Sequence, residues 1–389
     1  MDDILESLSA LPHRYSTSKN EHRAAEYLRQ KLEGMGLETH LEPFVARTSF
    51  STVYFIIYFI FLLSVGIGHY NEIVATILAL AASFLFFGEQ TTKSSFLSQW
   101  VPEDLSHNVV AKIPGRGMPK GRLVLVAHYD TSKTGLLFHP RMAAGIKRAF
   151  IVSVVMVGII LAGSIARHFI SGQPERILGY AMLIPGAYML FLCLGMFERE
   201  LRGRPVNGAN DNASGVAVVM ELAKRITERE GLQGLETTVL LTGSEEVGMA
   251  GMVRFLSERE KRLDRNNTVF LNFDSVGGGE LGFLESDGML ISYPADPGLL
   301  SMARKIAKND DRYSDIRAKS VNALPCDSLP AAARGYRTLT LSGSDERGVP
   351  SNWHWHDDVL DNVDRSVMEK AADFGWSLVE KLETEEGRA

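Results

Sequence analysis

A chain of 389 residues, 45% hydrophobic and 23% charged, carries enough apolar material for a folded core, which excludes a disordered chain. Its formal net charge of −6 leaves no electrostatic footprint for a nucleic-acid partner. Two cysteines stand far apart, Cys193 inside a strongly apolar run and Cys326 outside it, so a disulfide framework is not expected and a reducing compartment fits.

The opening stretch MDDILESLSALPHRYSTSKNEHRAAEYLRQKLEGMGLE is polar, helical in pattern and unlike a secretory signal. Helical spacing runs over about residues 19–35, with Ser18 a candidate cap and Gly34 and Gly36 near the end. The β-like stretch ETHLEPF follows and leads into two nearly charge-free runs, Phe50–Gly68 and Ile73–Phe87. Spanning ~30 Å of hydrocarbon takes roughly 20 helical residues. Ile73–Phe87 has 15, so it must draw in flanking residues, thin the bilayer or be re-entrant. Two strand-like runs, HNVVAKIPG and RLVLVAHYD, come next, and then a second apolar pair, Ala149–Ala166 and Ile177–Phe197. Buried core helices are the alternative reading, but four runs separated only by HYNE and RHFISGQPER are too apolar for a soluble core. Flanking charge orients them: Arg47, Lys93, Arg141, Lys147, Arg148, Arg199, Arg202 and Arg204 lie on the side of the termini, against Arg167 and Arg176 on the short loops. A multi-pass integral membrane protein with its polar bulk in the cytoplasm is expected.

Removing hairpins 50–88 and 149–197 leaves 1–48, 105–140 and 205–389, which read as one α/β domain. ASGVAVVMELAKRITER is an amphipathic helix, TTVLLTGSEE a buried strand, MAGMVRFLSERE a helix and TVFLNFDSVGGG a strand ending in glycines. Helical PGLLSMARKIAK, a loop around Pro325–Pro330, strand YRTLTLSG and a helix after Asp364 complete it. Alternating β and α units predict a mostly parallel sheet with its chemistry at the carboxyl ends of the strands.

Three strand-like runs end in imidazole or acidic groups: His128-Tyr129-Asp130, Glu245-Glu246 and Asp274. Taken singly, each is equally a loop cap or a structural residue. Asp211, within GANDNASG, is placed at the positive end of a helix, where a capping role is also open. His354 and His356 lie in the loop WHWHDD, which by itself reads equally as a packed surface cluster. Zinc accepts imidazole nitrogen and carboxylate oxygen. Two histidines and three carboxylates are the right donors for a pair of ions, one carboxylate bridging.

In this order, HYD, GANDNASG, SEE, NFD and HWHDDVLDNVD resemble the motif set of the M28 metallopeptidases, the family of bacterial leucyl aminopeptidases and glutamate carboxypeptidase. The resemblance covers about residues 15–45, 107–135 and 205–385 and leaves out the four apolar segments. It implies a zinc-exopeptidase-like three-layer α/β domain, here interrupted by two transmembrane hairpins. It implies two Zn2+, or other divalent ions, with His128 and Asp274 on one, Glu246 and His354 on the other, and Asp211 bridging. Glu245 would be the general base, and Asp130 would hold His128 in its ligating tautomer. Glu245 and Glu246 must then lie past the regular strand, in the turn, to face the same centre. A cis peptide after Asp211 is also implied. Where the family shows His-Thr-Pro, this chain has His354-Trp355-His356; the Asp-Asp-Val-Leu-Asp-Asn-Val-Asp that follows aligns His354, with His356 its competitor and Asp358 its expected partner. Asp327, in Leu324-Pro325-Cys326-Asp327-Ser328, would contact substrate or cap the next helix.

The implied function is a membrane-embedded exopeptidase acting on peptides or amino-acyl substrates at their N-terminal bond. A single-zinc glutaminyl-cyclase-like acyltransferase and a non-catalytic membrane scaffold are the alternatives. The second hairpin enters between His128 and Asp211, which suits either an active site facing the bilayer surface or a plain anchor.

Overall fold

The computed structural model describes residues 1–90, 97, 100–319 and 325–388; Lys93 and Leu324 lie outside these. The chain divides into two compact units, one of Met1–Thr48, Asp104–Thr134 and Pro205–Ala389, the other of Ser49–Glu103 and Gly135–Arg204.

The first unit is built on one sheet. Its strands are β1 (Glu38–Arg47), β2 (Glu103–Ile113), β3 (Arg116–His128), β4 (Gln233–Thr242), β5 (Thr268–Asp274), β6 (Glu280–Leu284), β7 (Arg317–Lys319) and β8 (Arg337–Ser344), in the spatial order β1-β2-β4-β3-β5-β8-β6-β7. The centre, β4-β3-β5-β8, is parallel, while β2 pairs antiparallel with β4 and β6 antiparallel with β8. Leu125 sits in register with Val239 and Leu271, and Leu271 with Leu339. Such strands are covered on both faces, which is why they read as unbroken apolar runs. Successive side chains go to opposite layers. Leu125, Leu241, Leu271 and Leu341 pack with helices Asp2–Ser9, Lys19–Gly34, Gly215–Glu228, Pro297–Asn309 and Arg365–Arg388. Val124, Val126, Leu240 and Phe270 pack on the other face against Met252, Phe255 and Leu256 of helix Ala250–Arg259. The result is a three-layer α/β fold with a mostly parallel sheet.

Local chemistry sets the element ends. The hydroxyl of Ser18 accepts the N–H of Glu21 and caps helix Lys19–Gly34. Where the sequence reads as a loop around Pro325–Pro330, a short helix forms over Ser328–Ala332.

In the second unit, helices Phe50–Ile67, Glu72–Glu89, Ile146–Ala166 and Leu183–Arg202 form a bundle, with Gln173–Ala181 preceding the last. The segment read as the short run Ile73–Phe87 is an 18-residue helix, because Asn71 caps it through Val74 N–H and Glu72, Gly88 and Glu89 extend it. The segment read as one run, Ile177–Phe197, is two helices that meet at Met182, with Pro185 in the first turn of the second, where its missing N–H costs nothing. By length and composition, four helical segments suffice to cross a membrane. Small residues bring neighbours close: a Cβ on Gly163 would lie 2.3 Å from the Met182 sulfur, and one on Gly195 2.6 Å from Leu137.

Leu271, fully buried in the central strand between Leu125 and Leu339, is a sensitive point of the first unit. Leu271→Ala is expected to cost about 2–5 kcal/mol, measured by chemical denaturation.

Candidate metal centre

The parallel strands deliver their terminal side chains to one edge. β3 ends on His128 and runs on to Asp130, β5 ends on Asp274, and the turn after β4 carries Glu245 and Glu246, past the regular strand. Asp211 lies in the irregular segment Ala209–Ser214. It therefore precedes helix Gly215–Glu228, on the N-terminal side to which the sequence pattern assigns it. The Asp211–Asn212 peptide bond is cis. Asn212 fastens this segment to the end of β5: its Oδ1 accepts Ser275 N–H (3.1 Å) and Gly215 N–H (3.0 Å), and its Nδ2 donates to Phe273 O (2.9 Å). Only glycine fits at 215, since a Cβ there would lie 2.3 Å from both Asn212 Oδ1 and Phe273 O.

His128 Nε2 lies 3.2 Å from Asp211 Oδ1. His354 Nε2 lies 3.4 Å from Asp211 Oδ2 and 3.0 Å from Glu246 Oε2. Two groups result, His128–Asp211–Asp274 and Asp211–Glu246–His354, the donor atoms of each lying within 4.8 Å of one another. Asp211 is in both. Of the two competing imidazoles, His354 is buried and joins this set, whereas His356 is exposed. The donors suit zinc: imidazole nitrogens and carboxylate oxygens converge, and Glu246 Oε1 is buried with no hydrogen-bond partner among the described residues.

Burial governs the charge states. It raises Asp274 to about 7, only partly offset by His128, and holds Glu245 well above the usual carboxylate range. Burial also favours neutral imidazole at His128, but hydrogen bonds to Asp130 and Asp211 outweigh it and raise the group. For Asp211 burial works upward, and the two imidazoles outweigh it and pull the group down.

The surrounding shell is richer than the sequence suggests. Besides approaching His128 Nδ1 at 3.5 Å, the Asp130 carboxylate accepts Glu245 N–H (2.9 Å), Glu246 N–H (3.2 Å) and the Ser16 hydroxyl (2.6 Å). Asp358, expected beside His354, accepts the N–H groups of Asn210 (2.6 Å) and Asp211 (3.1 Å). Ser132 Oγ stands 3.3 Å from His354 Nδ1. Asp327 is fully buried, accepts the Thr242 hydroxyl and makes no side-chain cap on the helix it precedes.

Arg14 is a residue that no motif marks. Fully buried, it donates to the carbonyls of Tyr129 (2.7 Å), Leu8 (3.1 Å), Asn207 (2.8 Å) and Gly208 (2.7 Å). It ties the end of β3 to the segment leading into Asp211. Burial lowers it to about 10 against the pull of Asp358, Asp130 and Asp211, so it is a cation at neutral pH.

The model of peptidase family M28 matches residues 195–379. The matched segment is just under half of the chain. It holds Asp211, Glu245, Glu246, Asp274 and His354; His128 and Asp130 lie outside it and are supplied by the fold. The chain is 24% identical over 185 residues to the "Probable lipoprotein aminopeptidase LpqL" of Mycobacterium tuberculosis, a match covering 41% of this chain and only 37% of that protein. Two solved structures share the fold. The zinc aminopeptidase BSAP of Bacillus subtilis superposes with a TM-score of 0.56 at 12% identity, covering 97% of this chain and 93% of that one. An Acidobacteriales bacterium glutaminyl cyclase gives a TM-score of 0.56 at 15% identity, covering 98% and 93%.

Replacing Arg14 by Met removes the guanidinium donor from four carbonyls, of which those of Leu8 and Gly208 keep a backbone N–H, and leaves the neighbouring carboxylates without a counter-charge. Arg14→Met is expected to cost on the order of 3–5 kcal/mol, read from the shift in the urea midpoint.

Proposed function

We propose that this chain is a membrane-embedded two-zinc exopeptidase that hydrolyses the N-terminal bond of peptides or amino-acyl compounds. The observation that carries the reading is the pair of donor sets sharing Asp211, with the buried Glu245 carboxyl beside them. His128 and Asp274 would hold one ion, Glu246 and His354 the other, and Asp211 would bridge. Bound zinc supplies a Lewis acid and lowers the pKa of water at the site. Glu245 takes a proton from the attacking water, whose oxygen bonds to the scissile carbonyl carbon. The carbon–nitrogen bond breaks, and Glu245 returns the proton to the leaving amine. Its burial suits this work, because a carboxyl held above its ordinary range is a stronger base than an exposed one. Asp130 supports the base by fixing the N–H groups of Glu245 and Glu246.

Glu245→Gln is expected to lower kcat/KM on an aminoacyl substrate panel by about 10²–10⁴-fold while leaving metal content unchanged. Unchanged hydrolysis would sink the assigned mechanism. The glutaminyl-cyclase likeness supports a second reading, an acyl transfer at one zinc. Metal analysis separates the two: two zinc per chain is expected, and one zinc with release of a cyclised N-terminus would favour the transferase.

For the membrane part, the support is an inverted surface. Ile77, Leu80, Phe84, Ile151, Val155, Ile159, Phe191 and Leu194 are exposed on the bundle, while Ser51, Ser64, Ser83 and Ser153 are buried within it. Lipid, not water, is the solvent that suits such an exterior. With Lys147 and Arg148 at the start of one helix and Arg199 and Arg202 at the end of another, the catalytic unit is assigned to the cytoplasm. The hairpins would either present the site to peptide ends leaving the bilayer or anchor it. After alkaline extraction of membranes the protein is expected in the pellet, with both termini protected from protease in sealed right-side-out vesicles; recovery in the supernatant would overturn the embedding.

A further inference from the structure

The turn Gly243–Gly248 carries two adjacent glutamates that must point in different directions within one centre. Ser244 within the turn, at φ 53°, and Met249 just after it, at φ 55°, both adopt the left-handed conformation. What holds it is a row of backbone donors. The N–H of Ser244 donates to Glu21 Oε1 (2.9 Å), that of Glu245 to Asp130 Oδ1 (2.9 Å), and that of Glu246 to Asp130 Oδ2 (3.2 Å). Three successive N–H groups thus end on two buried carboxylates.

Glu21 lies far from this turn in the chain, in the first turn of helix Lys19–Gly34, and is 1% exposed. Beyond Ser244 N–H it accepts the hydroxyls of Ser244 (3.0 Å) and Ser106 (2.9 Å) at Oε1, and Thr17 N–H (2.6 Å) at Oε2. All four donors point at it. A side chain whose only task was to cap its own helix would need Thr17 alone. We propose that Glu21 is a positioning residue for the catalytic turn: with Asp130 it clamps residues 244–246, and so sets where the Glu245 and Glu246 side chains leave the backbone. This rests on the roles given to those two residues above.

The clamp makes a selective demand. Glu246 belongs to only one of the two donor sets, so loosening the turn affects the Glu246–His354 side and spares His128–Asp274. Glu21→Ala and the near-isosteric Glu21→Gln are compared with the parent protein. Gln keeps one acceptor oxygen but offers an amide N–H₂ where the second oxygen received a donor, so it loses part of the clamp and preserves the volume. Expected are a fall in kcat of about ten-fold for Glu21→Ala and three-fold for Glu21→Gln, with KM within two-fold. In calorimetric titration of metal-free protein with zinc, one binding step weakens at least five-fold and the other does not move. In hydrogen exchange of the metal-free protein, amides 244–246 exchange faster in both variants, while those of β3 and β5 are unchanged. Unaltered exchange at 244–246 in the folded Glu21→Gln protein overturns the clamp, as does equal weakening of both zinc steps. Should the parent protein hydrolyse no peptide, the functional reading fails while the exchange measurement still decides the clamp.

Discussion

The constraint on which the first unit depends is electrostatic crowding at one edge of its sheet. Asp130, Asp211, Glu245, Asp358 and Glu21 are all nearly inaccessible to water, and Glu246 and Asp274 lie beside them. Isolated carboxylates placed so close together would protonate rather than remain charged. Burial first, and the neighbouring carboxylates after it, push Glu21 up to about 8, Asp358 to about 7 and Asp274 to about 7. Divalent cations relieve that crowding directly, which is why these donors make sense as a metal centre and make little sense as packing.

The protein supplies the remaining compensation without spending side chains in the centre itself. Backbone N–H groups do most of it: Asn210 and Asp211 serve Asp358, Glu245 and Glu246 serve Asp130, and Thr17 and Ser244 serve Glu21. Arg14 adds a full positive charge just behind them and spends its donors on four carbonyls, so it stays in place as a fixed field and forms no mobile ion pair. Each carboxylate is thereby given a geometric task as well as a charge. The polar backbone at the strand ends, which elsewhere would be lost to solvent, becomes the scaffold of the site.

Much of this was legible in the sequence, for a definite reason. Buried parallel strands appear as unbroken apolar runs, so a His or Asp at the end of LVLVAH or VFLNFD announces the sheet edge where ligands bind. The metal-type side chains were visible because their chemistry is distinctive. Arg14, Glu21 and Ser132 were not, because they act by proximity: Arg14 reaches Gly208 across 194 positions and Glu21 reaches Ser244 across 223. In local sequence they are an arginine and a glutamate in a polar helical stretch and a serine in a loop. Asp358 shows the same limit. Its neighbourhood in sequence points to His354, and no local pattern announces that it also accepts the backbone N–H groups of Asn210 and Asp211. Helix boundaries follow other signals: capping by Asn71 draws Glu72, Gly88 and Glu89 onto the apolar run Ile73–Phe87, one of the alternatives the sequence left open, and a break at Met182 divides Ile177–Phe197.

The two insertions can be accommodated because the first unit closes its own chain without them. The first leaves after β1 and returns at β2, which are adjacent strands of the same sheet. The second leaves at Thr134 and returns at Pro205, where Lys133 bridges Pro205 and Val206 N–H donates to Ser132 O (3.0 Å). To the sheet, each insertion is equivalent to a short loop, and chain insertions are best tolerated where the ends meet. The two places differ in what surrounds them. At the second, the outgoing strand carries Ser132 against His354, and the returning strand carries Gly208, whose carbonyl is held by Arg14. A substitution in this neck is therefore a substitution in the surroundings of the candidate metal centre, even though its position in the chain reads as the start of a membrane hairpin.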